Sequence, residues 1–503
     1  MTQPIEASIA LDPAHTVAPV SRRTFGSFVE HLGRCVYTGI FEPGHPSADA
    51  DGIRTDVADL VRELGVSSIR YPGGNFVSGY RWEDGVGPVA ERPARLDLAW
   101  HTTESNRFGT NEFLRWAATQ GVEPMMAVNL GTRGIQEALD LLEYCNIPGG
   151  TALSDLRRAH GFAAPHKVRM WCLGNEMDGP WQVGHKTATE YGRLAAETAR
   201  AMRLIDSDLE LVACGSSGSA MPTFGEWEAT VLEHTYNEVD FISAHAYYEE
   251  KGGDLASFLA SAVDMDGFIE GVISAADHVR AVKKASKRIN ISFDEWNVWY
   301  MDRPESDIPK HSWPEAPRLL EDVYCAADAV VVGSLLISLL RRSDRVTAAS
   351  LAQLVNVIAP IMTEPGGDAW RQTTFYPFAL TSALAKGDVL RVMPVSPVHA
   401  TERFGDVSAL DAVATWDADA GAGVVFAVNR HPSSPMELSI DARGLGTVAG
   451  ATATLVHDDD PKARNTQAQP DRVLPREVPV TVDGSRLTLS LPAVSWAAVQ
   501  VRV

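Results

Sequence analysis

The stretch VRMWCLGNEMDGPWQVGHKTATEYGRLAAETARAMRLIDSDLELVACG (168–215) decides the fold. It reads strand, loop, helix, strand. Val168–Leu173 is a short apolar run, Ala188–Ile205 has apolar residues at helical spacing, and Leu209–Cys214 is apolar again. Two strands joined by a helical crossover run parallel, since only antiparallel strands can be joined by a tight hairpin. Working outward, the same unit recurs. Asp56–Leu64 has helical spacing, Gly65 is a stop signal, and Val66–Tyr71 is strand-like. Glu112–Thr119 reads as helix, Gly121 punctuates it, and Pro124–Leu130 reads as a buried strand. Phe241–Ala246 and Ile289–Phe293 continue the series. With Phe25–Val29 as the first strand and a run near Leu351–Ile358 as the last, the count is eight. Eight such units predict an α/β fold, a (β/α)8 TIM barrel with insertions. A doubly wound open sheet is the alternative. The barrel is preferred because polar clusters follow many different strands.

Beyond about residue 385 helical periodicity stops. Short alternating segments appear at Ala412–Trp416, Gly423–Asn429, Thr452–Val456, Arg486–Leu491 and Trp496–Val501. Leu487, Leu489 and Leu491 share one face, with Thr488 and Ser490 on the other. This is half-buried antiparallel strand, and it predicts a jelly-roll-like β-sandwich. The expected division is a segment 1–20 joining the sandwich, a barrel over 21–385 and the sandwich over 386–503.

Composition narrows the function. The chain has 503 residues, 45% hydrophobic and 22% charged, which is ordinary for a globular protein. Its net charge of −21 argues against nucleic acid or an anionic membrane as a partner. The five cysteines, at 35, 145, 172, 214 and 325, form no CxxC pair, so neither a disulfide framework nor a structural zinc site is expected. Residues 1–23 lack the basic start and apolar core of a signal peptide. The longest apolar run, Ala329–Leu340, is shorter than the ~20 residues a membrane span needs and reads as a buried helix. A cytoplasmic protein is expected.

In a barrel the active site lies at the C-terminal ends of the strands. Those ends carry Glu30-His31, Arg70, Asn129, Asn175-Glu176, His245, Tyr247, Asp294-Glu295 and, near the eighth strand, Gln353 and Asn356. Glu176 follows strand four and Glu295 follows strand seven, so the two can face each other across the mouth. Two facing carboxylates are the equipment of glycoside hydrolysis, and their separation sets the stereochemistry. An amide at Asn175 can bind a sugar 2-hydroxyl, and Tyr247 can hold a nucleophile ionised. Trp171, inside a strand, reads as core. Metal-dependent hydrolysis would need clustered ligands, and the 14 histidines are scattered, without an HxH or HExxH pattern. No metal and no cofactor are expected. Serine chemistry lacks a GxSxG elbow. A non-catalytic sugar-binding protein is the remaining alternative.

The motifs WCLGNEMDGPWQVGH (171–185), RYPGGNF (70–76), FGSFVEHLGRCVYTGIFEP (25–43), ISAHAYY (242–248) and FDEWNVWY (293–300) resemble those of the α-L-arabinofuranosidases of glycoside hydrolase family 51. The resemblance runs from about residue 20 to the C-terminus. It implies a barrel with a β-sandwich, and retaining, exo-acting release of terminal non-reducing α-L-arabinofuranosyl residues from oligosaccharides. It makes Glu176 the general acid/base and Glu295 the nucleophile. Glu30, Arg70, Asn75, Asn175, His245, Tyr247 and Gln353 would line a pocket for one furanose, with Arg70 and Tyr247 orienting Glu295. Trp100 and Trp299 would form the wall toward the leaving group. A homo-oligomer, hexameric in many relatives, is also implied. Related members accept xylosides, galactofuranosides or glucans, so those substrates stay open.

Overall fold

The computed structural model describes residues 3–301 and 312–503. Eight parallel strands close on themselves in chain order. They are β1 (Gly26–Phe28), β2 (Ser68–Tyr71), β3 (Glu123–Ala127), β4 (Met170–Leu173), β5 (Glu210–Ala213), β6 (Phe241–Tyr248), β7 (Asn290–Val298) and β8 (Val346–Leu351). Helices fill the crossovers, so the molecule is a (β/α)8 barrel carrying a strand-rich C-terminal part. The helix Thr55–Leu64 stops at Gly65 because that residue takes φ 74°, a left-handed turn that costs glycine little. Ala188–Ile205 starts where Thr187 accepts from Glu190 N and the Glu190 carboxylate accepts from Thr187 N at 3.0 Å.

Alternate residues of the short strands point into the barrel. Met125, Ala127, Met170, Cys172, Val212, Phe241 and Ala348 pack there as one apolar layer. Each of the larger side chains contributes about 2 kcal/mol by leaving water. Below that layer, at the N-terminal ends of the strands, Arg23 bridges Glu123 and Glu210.

Two strand assignments change. The eighth strand is Val346–Leu351, not the more apolar run Leu351–Ile358. Small residues of Val346–Leu351 fit between β7 and β1, whereas Asn356 and Ile358 take left-handed φ of 62° and 39° and turn the chain out of the sheet. The seventh strand runs on to Val298, so Glu295 lies within it.

The apolar run around Ala329–Leu340 is the helix Ala326–Arg341, buried from Ala326 to Leu340. It is apolar on every side because the barrel covers one flank and the C-terminal sheets the other. Trp496 lies so close to Gly333 that a Cβ there would sit 2.1 Å from the indole. Among the described residues no helix is long and apolar enough to cross a membrane.

The strand-rich part is two facing sheets around a second core. In the four-stranded sheet Ile5–Ala10 pairs in parallel with Met436–Asp441, a strand the sequence reading passed over. In the seven-stranded sheet Thr16–Pro19 pairs with Asp388–Leu390. The central strands Leu410–Asp417, Ala422–Asn429 and Ser495–Arg502 run antiparallel.

Candidate active site

The rim gathers its side chains through three local features. The first is strand register. His245 on β6 lies opposite Glu295 on β7. The second is a β-bulge. Between Ser292 and Glu295 β7 spends three steps while β6 spends two, and between Phe293 and Trp296 it gains one residue on β8 as well. A bulge breaks the strict alternation of faces. Here Asp294 and Glu295, consecutive in sequence, both reach Arg70 on β2. The third is the turn after β4. Glu176 takes φ 41°, unusual for a residue with a side chain, and brings its carboxyl under His245.

These features build one network. Arg70 Nη1 donates to Glu295 Oε1 at 2.8 Å, and its Nη2 donates to Asn175 Oδ1 at 2.5 Å. Tyr247 donates its hydroxyl to Glu295 Oε2 at 2.7 Å. His245 Nδ1 stands 2.9 Å from Glu176 Oε1 and 3.6 Å from Glu295 Oε2, between the two carboxylates. An oxygen of each glutamate and this nitrogen all lie within 4.8 Å of one another. Glu176 is 9% exposed and Glu295 5%. Trp299 and Tyr247 pack edge to face, their ring centroids 5.0 Å apart.

A second group adjoins the first. Glu30 accepts from Phe76 N at 2.9 Å, from Trp100 Nε1 at 2.8 Å and from Gln353 Nε2 at 3.0 Å. Gly74 packs on this carboxyl so closely that a Cβ would lie 2.2 Å from Oε2. Gln182 links the groups. It accepts from Asn175 Nδ2 at 3.4 Å and donates to the Asn75 carbonyl oxygen at 3.3 Å. The residues assigned to the pocket thus fall in one connected rim, Asn75 through its carbonyl, whereas His31 bonds Glu104 and Tyr71, Asn129 bonds Thr132, and Asn356 bonds Thr363.

Sequence reading passed over two contributors, Trp181 and Gln182, and placed Asp294 at the rim without giving it a role. Trp181 donates its indole N–H to Glu176 Oε2 at 2.7 Å. Gln182 makes the link just described. Asp294 backs Arg70, its Oδ2 standing 3.7 Å from both Arg70 Nε and Cys172 Sγ. The Gly179-Pro180 turn was the available signal for the first two, since it folds the chain back toward Glu176.

Electrostatics separates the groups. Burial would raise the Glu295 carboxyl, but the charges of His245 and Arg70 and the hydrogen bonds from Tyr247 and Arg70 outweigh it and hold it below the usual carboxylate range. Burial would lower the His245 imidazole, yet the two glutamates raise it. At Glu30 burial wins and pushes the carboxyl well above its usual range, against the donors Phe76 N and Trp100. Burial and the neighbouring Glu295 keep the Tyr247 hydroxyl protonated, as a donor must be. Glu176, His245 and Glu295 also form a set of donors of the kind that binds divalent cations. Arg70, hydrogen-bonded to Glu295, already supplies a positive charge there and opposes a second one.

Comparison with known proteins agrees with this architecture. The family profile described as α-L-arabinofuranosidase 1 domain matches residues 60–253, and the α-L-arabinofuranosidase C-terminal domain matches 294–495. An intracellular exo-α-(1→5)-L-arabinofuranosidase of Streptomyces lividans is 61% identical over 98% of this chain and 75% of its own. An exo-α-(1→6)-L-arabinofuranosidase of Bifidobacterium longum is 57% identical over 99% of this chain and 97% of its own. The solved structure of a family 51 α-L-arabinofuranosidase from Bifidobacterium longum superposes with a TM-score of 0.96 at 53% identity, covering 99% of this chain and 100% of that one. The chain belongs to the α-L-arabinofuranosidases of glycoside hydrolase family 51.

Proposed function

We propose that this protein is an intracellular, exo-acting arabinofuranosidase that cleaves terminal α-L-arabinofuranosyl residues from oligosaccharides with retention, by double displacement. The observation that carries the stereochemistry is the approach of Glu176 and Glu295, oxygen to oxygen, within 4.8 Å. Retaining enzymes hold their carboxyl groups ~5–5.5 Å apart, and inverting ones need ~6.5–9.5 Å to admit a water.

In the first step Glu295 Oε attacks the anomeric carbon. The bond to the leaving oxygen breaks, its electron pair stays on that oxygen, and Glu176 delivers the proton. Arg70 and Tyr247 keep Glu295 ionised before attack. In the second step Glu176, now a carboxylate, takes a proton from water as the water oxygen displaces Glu295. His245 stands between the two carboxylates and follows their charge. Glu30 and Gln353, with Asn75 and Asn175, hold the furanose hydroxyls, and Trp100 and Trp299 border the leaving-group side. No metal enters either step.

The relatives named above support both the sugar and the location, and they cleave (1→5) and (1→6) links. The test uses purified enzyme on α-(1→5)- and α-(1→6)-linked arabino-oligosaccharides, with NMR of the first product. Release of the α-anomer, blocked in Glu295→Ala by about 10³-fold or more and insensitive to EDTA, is the expected result. Initial release of the β-anomer would overturn retention, and loss of activity in EDTA restored by a divalent cation would revive metal-dependent hydrolysis.

A further inference from the structure

The proton that leaves Glu176 has to travel in one direction, and the carboxyl group is free to rotate unless something holds it. A terminal carboxyl torsion is broad and two-fold, so one fixed partner orients it poorly. Here there are two. His245 Nδ1 meets Oε1 from inside the barrel at 2.9 Å, and Trp181 Nε1 meets Oε2 from the rim at 2.7 Å. An indole N–H only donates, so Oε2 always turns a lone pair toward it.

The position of the indole is itself built. Gly179 N donates to the Glu176 carbonyl oxygen at 2.9 Å, and Gln182 N donates to the Gly179 carbonyl oxygen at 3.0 Å, which folds the segment back on Glu176. The ring lies against Gly179, where a Cβ would come within 2.5 Å of Trp181 Cε2. Any side chain at 179 displaces the ring. Yet Trp181 is 50% exposed, so core packing does not explain the arrangement.

Resting on the reading of Glu176 as the general acid/base, we infer that Trp181 is a positioning residue: its indole N–H and His245 clamp the Glu176 carboxyl so that its proton faces the leaving oxygen. The clamp matters most when that oxygen is a poor leaving group, because only then does the acid limit the rate.

The experiment compares kcat/KM for α-(1→5)-arabinobiose and for 2,4-dinitrophenyl α-L-arabinofuranoside in wild type, Trp181→Phe and Gly179→Ala. Trp181→Phe keeps a ring and removes the N–H. Gly179→Ala keeps the indole and moves it. Both variants are expected to lose ~10–100-fold on arabinobiose, the worth of one charge-assisted hydrogen bond, and much less on the activated glycoside. A plot of log kcat/KM against leaving-group pKa steepens correspondingly. Equal losses on both substrates, or no loss on either, overturn the proposal, since a merely structural defect has no leaving-group dependence. Glu176→Ala with added azide is the control. If it spares the activated substrate and azide rescues its turnover, the acid/base reading stands and the Trp181 variants judge the clamp alone. If it does neither, the reading of Glu176 fails and the clamp with it.

Discussion

Glu295 carries the charge on which the proposed chemistry depends, and its neighbours decide that charge. Its carboxyl is buried, which by itself favours the neutral form, and two positive groups and a phenol reverse the balance. Removing one donor from an ionised carboxylate favours its protonated form. Tyr247→Phe is therefore expected to move the acidic limb of the kcat/KM profile to higher pH, by about one unit, and to lower the plateau about tenfold. An unmoved limb would show that Tyr247 does not hold the charge. Much of the site at this scale was legible in the sequence. Asn175, Glu176, His245 and Tyr247 stand at or just beyond apolar runs, where a barrel places its polar rim. The role of Trp181 was not legible, because a tryptophan five positions past a glutamate has no fixed relation to it until a turn is closed between them.

Secondary-structure elements were read mostly where their own residues fix them. Gly65 and Gly121 end helices with left-handed backbone, and Thr187 with Glu190 starts one. That capping box is exposed and takes part in none of the site contacts described above. Thr187→Ala is expected to cost about 1 kcal/mol, seen as a lower urea midpoint, with kcat/KM unchanged. A fall in activity at equal stability would mean that the helix start positions the 176–182 turn. Elements fixed by their partners were read less well. The eighth strand is chosen by the space between β7 and β1, not by its own hydrophobicity, and the bulge in β7 exists only relative to β6 and β8.

Across the whole molecule the barrel and the C-terminal sheets are joined by a partly buried ionic cluster as well as by apolar contact. Arg341, at the end of the helix Ala326–Arg341, bonds Asp266 at 2.5 Å and also Asp411 on the strand Leu410–Asp417. Ser334 donates to Asp411 at 2.6 Å. Burial would raise the Asp411 carboxyl, but Arg341 and Arg430 outweigh it and hold it low. A carboxyl lowered in the folded state stabilises it above the unfolded value of about 3.9, and that contribution disappears as pH falls through the lower folded value. Asp411→Asn takes from Arg341 one of its two carboxylates and from Arg430 the carboxylate 3.8 Å away, and is expected to cost about 3 kcal/mol at pH 7. In urea titrations the gap between wild type and variant should close below about pH 4. A gap that persists there would assign the cost to packing.

The sequence by itself determined the order of strands and helices, the change of architecture near residue 385, and which polar residues stand at the strand ends. Those properties depend on spacing and on residues adjacent in the chain, so a linear reading reaches them. Only the tertiary structure decided that Glu176 and Glu295 approach within 4.8 Å, with His245 between them. It alone placed Asp294 and Glu295 on one arginine and returned Trp181 to the carboxyl of Glu176. Each of these is a distance between groups brought together by barrel closure, a bulge or a turn, and such distances follow from how neighbouring elements pack against one another.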